Sequence, residues 1–242
     1  MNDSICGLVP AGARRPASAL EMREIEDRAV SIGVSRILMM ENAGANLARF
    51  AIAKLDEKKA QAQASKPTHI VLVAGTGNNG GDVFVAARHL MFWLEKSQVS
   101  VLLIGAEEQI VAQEASANWK ILKQIGADII QIRGDKELPL LEEKIRGSDV
   151  IVVGIFGTGF KGRPRELQAR VIELINSDSA REGTKISVDV PSGMEADTGA
   201  FEVVVKSDFT ITMGAPKKGL ASSERAKEAS GEVLVANIGV PV

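Results

Sequence analysis

A single cysteine and two histidines among 242 residues remove several common chemistries at once. One thiol, Cys6, cannot close an internal disulfide; the reducing cytoplasm is the expected compartment, and a mitochondrial matrix would also fit. His69 and His89 are too few and too separated for a metal cluster, and no Cys/His pairing suggests nucleophilic catalysis. Neither charge sign dominates, with 29 Lys and Arg against 31 Asp and Glu. No global field would therefore attract nucleic acid or an anionic membrane, and any phosphate binding must be local. Apolar runs of roughly eighteen residues are missing, as is the charged start and apolar stretch of a secretory signal. A soluble protein is expected. Residues 1–18, with Ala, Gly and Pro prominent, read as a flexible leader; Arg14 and Arg15 give it a trace of transit-peptide character, which Asp3 and the short length oppose.

What is present is an apolar fraction of 45%, interspersed along the chain, enough to bury one large α/β domain over residues 19–242. Leu20, Met22, Ile25, Ala29 and Val30 recur at helical spacing, and Ser18 followed by Glu21 is a capping-box signature, so a first helix is expected from Ala19 to Gly33. A second runs from Ser35 or Ile37 to Leu55, followed by a polar linker through Ser65 and a restart at Pro67. Strand His69–Ala74 is almost wholly apolar and stops at glycines, as a central strand buried on both faces does. Alternation follows: helix 80–96, strand 99–104, helix 107–125, strand 129–131, helix 138–146, strand 149–153, helix 164–176, strands 185–189 and 209–213, and a closing strand 233–236. This pattern predicts a three-layer, Rossmann-like doubly wound sheet, mainly parallel, with helices on both faces and ligands at the carboxyl ends of the strands.

Three loops at such ends carry the chemistry. The first, Val73-Ala-Gly-Thr-Gly-Asn-Asn-Gly-Gly-Asp82, joins a buried strand to a helix. Gly75, Gly77 and Gly80 satisfy G-x-G-x-x-G, and free N–H groups of the following helix attract an anion such as a diphosphate. Asn78 and Asn79 can bind a ribose, a carboxamide or a cation, and Asp82 places a carboxyl where phosphate alone would want none. The plainer reading is a tight turn with a helix cap. The second loop, Ile155-Phe-Gly-Thr-Gly-Phe-Lys-Gly-Arg163, again follows a strand; Lys161 and Arg163 can meet a phosphate or stand as solvated charges. In the third, Ser187-Val-Asp-Val-Pro-Ser-Gly193, Asp189 ends an apolar strand, where an ionised carboxylate is costly unless it faces a ligand, a cation or a cap. An ordinary dinucleotide dehydrogenase would hold ribose with an acid after the next strand, but Val99–Ile104 ends in Gly105, and Glu107 and Glu108 belong to the following helix turn.

Together, GTGNNGGD with VAARHL, IFGTGFKGR, SVDVPSG and TMGAPKKGL, with EMREIEDRAV and LMMENAG near the start, closely resemble the YjeF N-terminal domain family, the NAD(P)H-hydrate epimerases, from about Leu20 to the C terminus. The resemblance implies an isomerase that interconverts the R and S forms of hydrated NADH and NADPH in nicotinamide nucleotide repair, with the damaged cofactor as substrate and no redox cofactor. It implies that Asn78, Asn79, Gly80, Gly81, Asp82, Gly157, Thr158, Gly159, Phe160, Lys161, Gly162, Arg163 and Asp189 line the substrate site. By this reading Asp189 is the general acid/base and Asp82 positions the hydroxyl or water. Asn79 and Ser192 would belong to a potassium site. A homodimer is implied too, with the first two helices expected at its contact, and a separate NAD(P)H-hydrate dehydratase as pathway partner. The chain departs from the family at Val153, where a potassium-ligating Asp is usual, and at Val83, where Gly is usual and a β-branched side chain is expected to tighten the mouth of the first loop.

Elsewhere His89 reads as helix packing, Trp93 and Trp119 as core or subunit-contact residues, and Lys217 and Lys218 as either phosphate contacts or a solvated turn. The competing functions are a non-catalytic nucleotide- or protein-binding relative, which Val83 and Val153 favour, and a redox Rossmann enzyme, which the missing acid after the second strand opposes.

Overall fold

A computed structural model describes residues 7–61 and 68–240; Cys6, the later part of the polar linker and Pro67 lie outside these. The strands are β1 (Leu8–Pro10), β2 (Ile70–Ala74), β3 (Val99–Ile104), β4 (Asp128–Ile132), β5 (Val150–Gly154), β6 (Thr184–Val188), β7 (Phe209–Met213) and β8 (Glu232–Ala236). The helices are α1 (Ala19–Ser31), α2 (Arg36–Gln61), α3 (Asn78–Trp93), α4 (Gln113–Gln124), α5 (Leu138–Ile145), α6 (Glu166–Asn176) and α7 (Glu224–Ser230). One sheet runs in the order β1-β8-β7-β6-β5-β2-β3-β4, parallel throughout except for the antiparallel pairing of β1 with β8. The chain winds outward from β2 through β3 to β4, then returns to β5 on the other side of β2 and winds the opposite way. The switch point, where such folds open a ligand crevice, is therefore the β2/β5 boundary.

Burial on both faces explains why the central strands are continuous apolar runs. In β2, Ile70, Leu72 and Ala74 face a core shared with α2, α3 and α4. Val71 and Val73 face a second core with Leu138, Leu141 and Ile145 of α5 and Val171, Ile172 and Ile175 of α6. The doubly wound, three-layer expectation is met.

Differences from the sequence reading are local. Leu8–Pro10, inside the segment expected as a flexible leader, pairs with β8, and Leu8 is buried in the core; the strand covers the sheet edge that β8 would otherwise expose. The helix expected over 107–125 is broken, with a 3-10 turn over Glu107–Gln109 before α4. Gln109 turns its side-chain oxygen back to the Ala106 N–H, and Ile110 drops into the core. Helix α7, unanticipated, is short and capped by the Ser223 hydroxyl on Ala226 N at 3.1 Å. The capping box on α1 forms as expected: Ser18 Oγ accepts from Glu21 N, and the Glu21 carboxylate accepts from Ser18 N at 2.7 Å.

Candidate active site

Two cavities open at the carboxyl ends of the strands, on either side of the first two glycine loops. The first is lined by Met22, Glu26, Arg36, Asp82, Asp189 and Lys217 among others, with a partly apolar wall of Met39, Met40, Met213 and Ile238. The second lies over Gly75–Gly77 at the start of α3 and over Ile155–Lys161. Asn78, Asn79 and Thr158 line both, so a long ligand can pass from one to the other across these three side chains.

Asp189 is built into its position by the backbone. Among the described residues it is the one non-glycine residue with positive φ, at 66°, and around it Val190 N donates to Val188 O at 2.8 Å. That is a γ-turn of the rare positive-φ hand. Strain of this kind persists where the surroundings over-determine it, and here they do. Asp189 Oδ1 accepts from Met213 N at 3.1 Å, Thr212 Oγ1 at 3.3 Å and Lys217 Nζ at 2.5 Å. No described group bonds Oδ2, which leaves one carboxylate oxygen for a ligand.

Lys217 was left by the sequence between a phosphate contact and a solvated turn; it is neither. Its side chain is 1% exposed, and its ammonium also donates to the carbonyls of Met213 and Ala215 at 2.8 and 3.2 Å. Asp189 and Ala17, which bridges to Lys217 in the parallel sense, bring in segments distant in sequence. Lys218 turns outward to Glu21 at 2.7 Å.

Asp82 projects from the first turns of α3 and is 8% exposed, with no hydrogen bond to its carboxyl among the described residues. Burial pushes its pKa well above the ordinary carboxyl value, and the negative charges of Asp189 and then Glu26 push it the same way. The cavity thus pairs a carboxyl whose burial favours the acid form with one ion-paired to lysine.

The glycines divide by role. A Cβ on Gly80 would lie 1.9 Å from Gly75 O, so Gly80 lets the start of α3 close onto the loop, and Gly81 admits Met40 and Ala115 in the same way. Neither lines the first or the second cavity. Gly157, Thr158, Gly159, Phe160 and Lys161 line the second cavity, where Phe156 and Phe160 stack with centroids 4.5 Å apart. Gly162 and Arg163 turn away: Gly162 N donates to Glu195 Oε1 at 2.9 Å, and Arg163 pairs with Glu202 in solvent. Gln168 of α6, which the sequence did not single out, lines the second cavity with a buried side-chain oxygen that has no partner among the described residues. Glu107 accepts from Trp119 Nε1 and Lys123, each at 2.7 Å, and lines neither cavity.

The potassium expectation meets an unfavourable donor set. Asn79 directs its amide nitrogen at Phe156 O and Val188 O, at 2.9 and 2.8 Å. Ser192 Oγ accepts from Ile155 N and Phe156 N at 3.1 Å each. Both side chains knit the three loops together, their polar atoms largely engaged within the chain. Val153 is fully buried in an apolar cluster and offers no oxygen, and among the described residues no group of three or more His, Cys, Asp or Glu is set for a metal. What this chain lacks of the implied donor set is the carboxylate at position 153. Val83 does not tighten the loop mouth as expected; it is fully buried, and Gly154 leaves it room, since a Cβ there would lie 2.6 Å from Val83 Cγ2.

His89 accepts or donates to Glu41 at 2.8 Å between α3 and α2, with Arg88 on the same carboxylate, as packing predicts. Trp119 is buried against Phe84, whereas Trp93 is 47% exposed. No helix among the described residues is long and apolar enough to cross a membrane.

Comparison with known proteins gives a consistent picture. The family described as YjeF-related protein N-terminus matches residues 36–219. A bifunctional NAD(P)H-hydrate repair enzyme of Archaeoglobus fulgidus is 35% identical over 93% of this chain but 41% of its own length. NAD(P)H-hydrate epimerases of Cenarchaeum symbiosum and Nitrosopumilus maritimus are 36% and 35% identical, over 93% and 91% of this chain and 95% and 94% of theirs. The chain thus spans about two fifths of the bifunctional relatives and nearly all of these two. The crystal structure of the yeast protein ynu0 superposes with a TM-score of 0.73, covering 91% of this chain and 87% of that one at 24% identity, which supports the fold.

Proposed function

The chain belongs to the YjeF-related protein N-terminus family, and from that premise we propose that it is an isomerase interconverting the R and S forms of hydrated NADH and NADPH. The observation that carries the reading is the convergence of Asp82 and Asp189, from two separate loops, on one cavity together with buried Lys217.

The chemistry follows from those groups. C6 of the hydrate bears a hydroxyl beside the ring nitrogen. Asp82, kept in its acid form, gives a proton to that hydroxyl; the nitrogen lone pair then expels water and leaves a planar iminium. Its positive charge develops beside the Asp189 carboxylate, whose free Oδ2 serves as fixed counter-charge while Lys217 holds Oδ1. Water returning to the opposite face inverts the centre. Sequence reasoning gave Asp189 the acid/base role; the Lys217 ion pair and the burial of Asp82 are why we move proton donation to Asp82. The remainder of the dinucleotide extends over Asn78, Asn79 and Thr158 into the second cavity, with its diphosphate at the start of α3 and Lys161 nearby.

No step is routed through potassium. The binding-only alternative rested on Val83 and Val153, and both side chains pack in the core rather than in the cavity. A cytoplasmic dimer acting before a separate dehydratase completes the reading: Leu20 and Ile32 of α1 and its following turn, with Ile37 and Leu38 of α2, are exposed apolar side chains that support a contact between copies. The test is chromatographic conversion of the pure R hydrates by the purified protein in potassium and in sodium buffers, with Asp189→Ala as control. Conversion in both salts, lost by at least about 100-fold in the variant, is expected.

A further inference from the structure

Inverting C6 sets a requirement that Asp82 alone does not meet. The departing hydroxyl must be protonated on one face of the ring, and the arriving water must lose a proton on the other. Resting on the epimerase reading, we propose that Glu26 is the proton-transferring group for the ring face opposite Asp82.

The order of the sheet supports this placement. Asp82 comes from α3, which packs against β2, β3, β5 and β6. Asp189 follows β6, the next strand, and Lys217 follows β7, the strand after that. Glu26 comes from α1, which sits beyond them over the end of β7: Ala17 bridges to Lys217, Met22 packs on Gly214, and Lys218 holds Glu21. The two acids therefore enter from different walls, with the Asp189–Lys217 pair between them. Met22 and Glu26, four residues apart on α1, share one helix face and both line the cavity.

Glu26 also presents its carboxyl to the cavity. That carboxyl makes no hydrogen bond among the described residues, is 34% exposed, and pairs with Arg36 at 3.6 Å. Burial, then the negative charge of Asp189, raises its pKa against the opposing charges of Lys217 and Arg36. In one direction Asp82 protonates the hydroxyl, the C6–O bond breaks, and the nitrogen lone pair forms the C6–N double bond. Water then attacks the other face, the π pair returns to nitrogen, and the Glu26 carboxylate takes the surplus proton. In the reverse direction the two acids exchange parts, so that protons and electrons balance with water as the sole co-reactant.

The discriminating experiment follows exchange of the C6 hydroxyl with 18O-labelled water, starting from each epimer separately, by mass spectrometry. In Glu26→Gln, epimerisation falls by about 100-fold, while one epimer, whose hydroxyl lies on the Asp82 side, exchanges its oxygen with retention at near the wild-type rate. In Asp82→Asn, the opposite epimer keeps exchanging. Glu26→Asp, which keeps a carboxyl, restores part of the exchange lost in Glu26→Gln. Equal loss of exchange in both epimers of Glu26→Gln, or loss in neither, overturns the proposal while leaving the epimerase reading intact. A wild-type protein that neither epimerises nor exchanges either form overturns both.

Discussion

Lys217 Nζ lies 2.5 Å from Asp189 Oδ1, with the two side chains 1% and 8% exposed. Breaking a buried pair leaves the surviving charge without a partner, which destabilises by about 3–5 kcal/mol. Lys217→Met is expected to lower the melting temperature by roughly 2–4 °C for each kcal/mol lost. Lys217→Arg is not expected to rescue it, because the compact ammonium meets acceptors on several sides that a planar fork cannot match. Thermal unfolding by circular dichroism checks both; a fully stable Lys217→Met would show that the pair does not hold the site.

Asp82 should make the protein less stable as pH rises. Its folded pKa is raised by burial and by Asp189, so the stability linked to its proton is complete below the unfolded carboxyl pKa and is lost as pH climbs through the folded one. Asp82→Asn does not titrate there. The variant is expected to melt higher than wild type at pH 8, with a gap that closes toward pH 4, while its activity falls by about 100-fold. A pH-independent gap would contradict the buried-acid assignment.

Glu21 gives the opposite sign. Hydrogen bonds from Lys218, then those with Ser18, lower its pKa to about 2, so its contribution is present above the unfolded value of 4.5 and is lost as pH falls through the folded one. Since Glu21 anchors the start of α1, and α1 carries Glu26, Glu21→Gln is expected to weaken that anchoring at neutral pH and to show less acid-induced loss between about pH 4.5 and 2. Hydrogen exchange of the α1 amides across this range reads it directly.

Two glycines of one loop should behave differently. A Cβ at Gly80 collides with backbone at 1.9 Å, whereas one at Gly77, whose φ is −95°, meets nothing within 4 Å. Gly80→Ala is therefore expected to impair folding. Gly77→Ala is expected to fold normally yet raise KM, because its methyl group covers the floor of the second cavity. Soluble expression and steady-state kinetics separate the two outcomes.

How far the sequence disclosed all this depends on where each signal lies. Central strands such as Ile70–Ala74 read clearly because both faces are buried and every residue is apolar. Leu8–Pro10 did not, since three residues at a sheet edge carry no period. Asn79, Asp82 and Asp189 were legible because each is polar where an apolar strand meets a glycine turn. Lys217 was not, because Asp189 and Ala17, which engage it, are distant in sequence and no local pattern encodes them. Glu26 was hidden among the charges of an amphipathic helix, and its four-residue spacing from Met22 was the one available sign. Gln168 sits on a helix whose apolar stripe explains its neighbours and says nothing of an oxygen without a partner among the described residues.

The central claim is met most directly by starting from each pure epimer of hydrated NADH and following both by chromatography as the wild-type protein acts. The account predicts that the two samples converge on one ratio of epimers, far faster than in buffer alone and with no loss of total hydrate, and that Asp82→Asn with Asp189→Ala abolishes the acceleration. Failure to converge above the buffer rate, or consumption of the hydrate in place of its inversion, would contradict it.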